Sequence, residues 1–151
     1  MLVFAIENYD SCATEMVGLG EAHRDEIKPH ADAFPFDPDM NLYARLDEVG
    51  MLHVATARAM GRLVGYMLSV VMPSHQHHKS VRWASGDGVY LLPAYRKPRV
   101  ADRLLAFAED SLRAKGVILN VIGVHPDHPA LGRLLVRRGY ALSSHGHSRR
   151  L

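Results

Sequence analysis

A strand that runs into a cluster of positive charge and then into a helix constrains this chain more than any other stretch. Residues 88–113 read GVYLLPAYRKPRVADRLLAFAEDSLR. An apolar run over 88–92 predicts a strand, and Pro93-Ala94 a turn. Arg96, Lys97, Arg99 and Arg103 bring four cations close together, and an amphipathic helix follows. The first N–H groups of a helix have no internal partners, and the macrodipole makes that end partly positive, so the arrangement is suited to an anion such as phosphate. Basic side chains at a helix start oppose the dipole. A solvated basic face is the bland alternative to phosphate binding.

The neighbouring pattern fixes the fold class. Residues 2–6 predict a first strand. A helix follows, capped by Asp10 or Ser11, with Cys12, Met16, Leu19, His23 and Ile27 at helical spacing and a stop at Lys28-Pro29. On that face His23 reads as a core or boundary residue. Residues 31–38 read as a loop, and Asp37-Pro38 opens a second helix that Gly50 closes. Three strand-like runs come next, over 51–58, 62–72 and 80–92, with a possible bulge at Gly65. The short links between them predict antiparallel pairing. The helix over about 100–115 ends at Gly116. Residues 117–124, VILNVIGV, predict a strand buried on both faces in a parallel pairing. Asp127 or His128 then caps a last helix ending at Gly139, and residues 140–147 predict a final strand. The order β-α-α-β-β-β-α-β-α-β is that of an α/β protein with a mixed sheet and helices on its faces. With 151 residues, one domain over 1–151 is expected.

The net charge of +2 does not suggest a dedicated nucleic-acid binder. Cys12 is the only cysteine, so no disulfide can form within the chain, and a reducing, cytoplasmic location is expected. The apolar start reaches Glu7 too soon for a signal peptide or a membrane span.

The element order, together with Leu91-Leu92-Pro93-Ala94-Tyr95-Arg96 leading into the basic turn, resembles the GNAT superfamily of acetyl-CoA-dependent N-acetyltransferases. Arg96-Lys97-Pro98-Arg99-Val100-Ala101 lies on the family's Gln/Arg-x-x-Gly-x-Gly/Ala turn, whose backbone amides bind the coenzyme A pyrophosphate. Arg138-Gly139-Tyr140 is similar to the family's closing Gly-Phe or Gly-Tyr. The HQHH segment and Asp87 before Val89-Tyr90-Leu91 look most like phage- and prophage-encoded members. The resemblance implies acetyl-CoA as co-substrate and an amine acceptor, small molecule or protein. It implies a cofactor site of Leu91, Leu92, Arg96, Lys97, Arg99, Val100, Ala101 and Arg103, with His128 in the slot where an asparagine often contacts the cofactor. Arg99 replaces the usual glycine, Pro98 lacks an N–H, and Leu135 stands where the thiolate-protonating tyrosine commonly falls. A member that has lost catalysis and serves as a binding or structural protein is the alternative, and a homodimer is possible.

Transfer to an amine needs a base, since a lysine-like ammonium has a pKa near ~10.4. Asp87, just upstream of the cofactor end of its strand, is the candidate base. Alternatively, within Ser85-Gly86-Asp87-Gly88 it simply organises a bulge or turn. His125, at the end of a predicted parallel strand, and Tyr140 are candidate acids. His75, His77 and His78 admit three readings: metal ligands, a substrate-facing loop in which His75 and His77 bind the acceptor, or a solvated connector. No Cys or Glu stands at ligand spacing beside them, so no metal is expected.

Overall fold

The computed structural model describes residues 1–27, 33–97 and 99–150. Five strands form one sheet in the order β1-β2-β3-β4-β5. They are β1 (Leu2–Ile6), β2 (Leu52–Ala59), β3 (Arg62–Met72), β4 (Trp83–Leu91) and β5 (Leu119–Ile122). The first four are antiparallel neighbours, and β5 joins β4 in parallel. Two helices, α1 (Tyr9–Ile27) and α2 (Met40–Glu48), cover one face; α3 (Val100–Ala114) and α4 (Pro129–Arg137) belong to the other.

Alternation along β2 explains the two layers. Leu52 and Val54 point to a cluster with Tyr9, Cys12 and Met16 of α1. Ala55, Ala57 and Ala59 point the other way, and their small side chains let Leu104, Leu105, Ala108 and Leu112 of α3 pack close. Arg138, after α4, pairs with Glu109 and Asp102 of α3 and holds the two helices together.

The meander and the parallel β5 match the expected pairings. Gly116 and Gly139 end their helices at φ +79° and +90°, conformations that glycine adopts without strain. Near Gly65 the β2–β3 register shifts, leaving Val64 as the extra residue of a bulge. Four expectations are corrected. α1 begins at Tyr9, so Asp10 and Ser11 lie within its first turn rather than at its cap. The second helix begins at Met40 rather than at Pro38, because Asp39, not Asp37, accepts the Leu42 N–H at 2.9 Å as its cap. β5 spans only Leu119–Ile122 rather than 117–124, and none of its residues is fully buried. Residues 141–150 form no strand: apart from Leu142 they are small, polar or basic, with no apolar face to bury. The stop at Lys28-Pro29 and the place of Pro98 lie outside the described residues. Among those described, no helix is long and apolar enough to cross a membrane.

Candidate active site

β4 and β5 are paired only from Trp83–Leu119 to Gly86–Ile122. Beyond that point β5 has ended while β4 runs on to Leu91, so among the described residues no strand lies beside that edge of β4. The divergence coincides with a bulge. Leu68 faces Gly88 and Ser69 faces Gly86, leaving Asp87 without a partner on β3. The bulge reading of Asp87 therefore holds, and it turns the exposed carboxylate into a cleft of about 1020 Å³ between the two arms.

At one end of the cleft lies the basic turn. A single 3₁₀ turn over Pro93–Tyr95 leads to Arg96 and Lys97. The Lys97 carbonyl accepts from Arg99 N at 2.9 Å and from Val100 N at 3.0 Å, folding the chain into the start of α3. The φ of Arg99 is −164°, extended backbone open to any residue, so arginine in the family's glycine slot is sterically compatible. Lys97, Arg99 and Ala101 line the cleft, as does Leu91. Arg96 lines it too, yet its guanidinium is already engaged. It donates to both Glu26 carboxylate oxygens at 2.6 and 2.8 Å, donates to the Leu91 carbonyl at 2.8 Å, and lies over the Tyr90 ring. That guanidinium, together with the Tyr90 hydroxyl, holds Glu26 below the usual carboxylate range. Leu92, Val100 and Arg103 fall outside the lining, and Arg103 covers the Phe4 ring instead.

α1 supplies the opposite wall with His23, Glu26 and Ile27, and α2 meets the site only through Tyr43. The Tyr43 hydroxyl donates to Asp87 Oδ2 at 2.6 Å, and burial followed by that hydrogen bond holds its proton on tightly. His23 of α1 faces Gly88 and lines the cleft, with Nδ1 3.0 Å from the Tyr66 hydroxyl. Its ring stacks on Tyr90, with centroids 4.9 Å apart.

Past β5, His125 and His128 enter the same space. His125 Nδ1 accepts the Asp127 N–H at 3.3 Å, so a neutral ring carries its proton on Nε2, the tautomer of a donor. His128 Nε2 donates to the Glu26 carbonyl at 3.0 Å, tying the start of α4 to the end of α1.

The remaining candidates lie elsewhere. Tyr140 accepts from Asn120 and donates to Glu109, and burial pushes its hydroxyl up to about 12; it does not line the cleft. Leu135 is a buried core residue. His75 and His77 occupy the β3–β4 connection, at the opposite end of β4 from the basic turn. There His75 stacks on His78 and meets Trp83 edge-on. Among the described residues no three of His, Cys, Asp and Glu converge as metal ligands. Reading residues singly missed Glu26 and Tyr43 and took His23 for a core or boundary residue. The one sequence cue was the three-residue spacing of His23 and Glu26, which sets both on one helix face.

The profile of the acetyltransferase (GNAT) family matches residues 17–140. The chain belongs to the GNAT acetyltransferase family. GNAT acetyltransferases use acetyl-CoA as co-substrate. No curated protein matches this GNAT chain by sequence. Among solved structures it is similar to a ribosomal-protein-alanine N-acetyltransferase from Brucella melitensis biovar Abortus 2308, with 16% identity, TM-score 0.75, and 100% and 99% of the two chains covered. It is also similar to a predicted acetyltransferase from Clostridium acetobutylicum solved with acetyl-CoA, at 9% identity, TM-score 0.75, and 99% and 96% coverage. An aminoglycoside acetyltransferase from an uncultured soil metagenomic sample, in complex with sisomicin, has 14% identity, TM-score 0.75, and 99% and 95% coverage. At such identities these likenesses show the GNAT fold.

The cleft's chemistry fits acetyl-CoA. The unpaired side of β4 presents backbone groups that need partners, which an extended, amide-bearing pantetheine arm supplies. Lys97, Arg99 and the start of α3 put positive charge at one end of the cleft, which suits an anionic group such as a pyrophosphate.

Proposed function

We propose that the chain transfers the acetyl group of acetyl-CoA to the primary amine of a cationic acceptor. The pyrophosphate is held by the Lys97 and Arg99 side chains and by the Ala101 amide, since the Arg99 and Val100 N–H groups already donate to the Lys97 carbonyl. Arg96 acts mainly by bracing the turn through Leu91 and Glu26. Asp87 attracts the ammonium and takes its proton, giving the neutral nucleophile. His125, with its proton on Nε2, protonates the departing thiolate. The carbonyl oxygen, as it gains charge, takes an N–H from the open edge of β4.

The juxtaposition of the Asp87 bulge with the divergence of β4 and β5 carries this assignment. It sets a carboxylate in a cofactor-sized cleft, facing the wall that α1 supplies. The Asp87 carboxylate there favours a cationic amine over an anionic acceptor, and sisomicin, a partner of one fold neighbour, is a molecule of that class.

The test is thiol release from acetyl-CoA in the presence of polyamines, aminoglycosides and peptide N-termini. Wild type should release thiol with at least one of them, and Asp87→Asn should lose about 10²-fold or more in kcat. Binding of acetyl-CoA with no thiol release from any amine would contradict transfer and favour a binding module.

A further inference from the structure

His23 is placed with more care than a core or boundary residue requires. Its Nδ1 is tied to the Tyr66 hydroxyl at 3.0 Å and its ring is stacked on Tyr90. Residue 88, a glycine, lies directly beside the ring. A Cβ there would meet Tyr66 Cε2 at 3.2 Å, His23 Cε1 at 3.5 Å and His23 Nδ1 at 3.7 Å. Gly88 directly follows Asp87, so the imidazole stands beside the candidate base and on the same cleft. Among the described residues Nε2 has no hydrogen-bond partner.

Acetyl transfer removes two protons from the acceptor nitrogen, one from the ammonium and one as the carbon–nitrogen bond forms. Two proton acceptors are then useful on one wall. We propose that His23 is a further catalytic residue, whose Nε2 takes the proton that the nitrogen sheds as it bonds to the acetyl carbon, with Tyr66 as the positioning residue that fixes the ring. Asp87 has by then taken the first proton. The carbon–sulfur bond breaks with its electron pair on sulfur, the thiolate is protonated by His125, and the protons on Asp87 and His23 pass to solvent, one of them restoring His125. This deepens the transfer reading and rests on it.

The charged surroundings suit the role. Glu26 on the same helix and Asp87 on β4 favour the imidazolium, whereas Arg96 after β4 and His128 of α4 oppose it. The Tyr66 and Tyr90 phenols are protonated and neutral, held so by burial. Burial outweighs the carboxylates and holds the ring below its ordinary 6.5, so it is neutral and able to accept a proton at neutral pH. As pH falls through that depressed value the ring charges and the step is lost.

Two measurements decide. The first is ¹⁵N NMR of the imidazole, assigned with His23→Gln. A proton acceptor at Nε2 requires the Nδ1–H tautomer, donating to the Tyr66 oxygen; an Nε2–H tautomer overturns the proposal. The second is the pH profile of thiol release with acetyl-CoA and sisomicin. Wild type should lose activity on an acid limb below pH ~6.5, and His23→Gln should remove that limb and lower kcat about 10²-fold with the KM for acetyl-CoA unchanged. Tyr66→Phe, which keeps the ring and its packing, should lower kcat about tenfold. A His23→Gln variant that melts earlier yet keeps the wild-type profile and kcat overturns the proposal in favour of a packing role. If sisomicin is not acetylated, the tautomer alone decides. Failure of the wild type to bind acetyl-CoA removes the transfer reading and this proposal with it, whereas wild-type turnover with an unaltered His23→Gln profile removes only His23.

Discussion

Adding one methyl group at Gly65 should damage both the sheet and the cofactor arm. Gly65 of β3 pairs with Leu91 of β4 beside the bulge at Val64. An alanine Cβ there would lie 2.3 Å from Leu91 Cδ2 and 2.7 Å from the Tyr90 carbonyl oxygen, where ordinary contact begins at 3.4 Å. The Leu91 side chain could turn away, but it is buried in the main core and would displace its neighbours. The Tyr90 oxygen is backbone and can retreat only if the end of β4 moves by roughly 0.7 Å, the difference between 3.4 and 2.7 Å. Overpacking of this kind costs about 1–3 kcal/mol. For a chain of this size that lowers Tm by about 3–10 °C. The same shift moves Leu91, whose carbonyl braces Arg96, and Tyr90, which lines the cleft. Acetyl-CoA affinity should therefore fall along with stability. Thermal and urea unfolding read the first effect and titration calorimetry the second. Gly18→Ala is the control: a Cβ there meets nothing within 4 Å inside α1, so it should stabilise by about 0.5–1 kcal/mol. A Gly65→Ala protein with wild-type Tm and wild-type affinity would refute the reasoning.

Other expectations can be checked with the same preparations. His53 is 1% exposed, and burial pushes its imidazole down to about 4 from an ordinary 6.5. The unfolded chain therefore takes up this proton before the fold does. Stability should be complete above pH 6.5 and fall by about 3 kcal/mol as pH drops toward 4, measured by urea unfolding against His53→Gln, which cannot titrate. Tyr140→Phe should lose about 1–2 kcal/mol of stability, from its bonds to Glu109 and Asn120, and leave the pH profile of thiol release unchanged. A large loss of kcat with an altered alkaline limb would restore Tyr140 as an acid. Lys97→Ala should weaken acetyl-CoA about tenfold, or about 1.4 kcal/mol, with little change in Tm.

Most of the sheet could be read from residue order, because each strand carried its own local signature. The meander was legible from short links, β5 from VILNVIGV, and the helix ends from Gly116 and Gly139. Asp87 was legible only as two competing roles. The structure shows the bulge, with the carboxylate bonded to Tyr43 and lining the cleft, and the base role belongs to the proposal. Side chains that come together only through packing carried no comparable mark. Glu26 and Tyr43 belong to helices whose contacts with β4 depend on tertiary packing. Nothing local to Arg96 signals that Glu26, 70 residues away, already holds its guanidinium. The final strand expected over residues 140–147 does not form, because the residues after Tyr140 offer no alternating apolar face. The histidine-rich connector drew attention by composition, and the structure sets it at the end of β4 remote from the turn.

The most direct test of the central claim is equilibrium titration of the wild-type chain with acetyl-CoA, in parallel with Arg99→Ala. Saturable 1:1 binding that is weakened about tenfold by Arg99→Ala is the predicted result. No heat of binding and no stabilisation against unfolding at millimolar acetyl-CoA would contradict it.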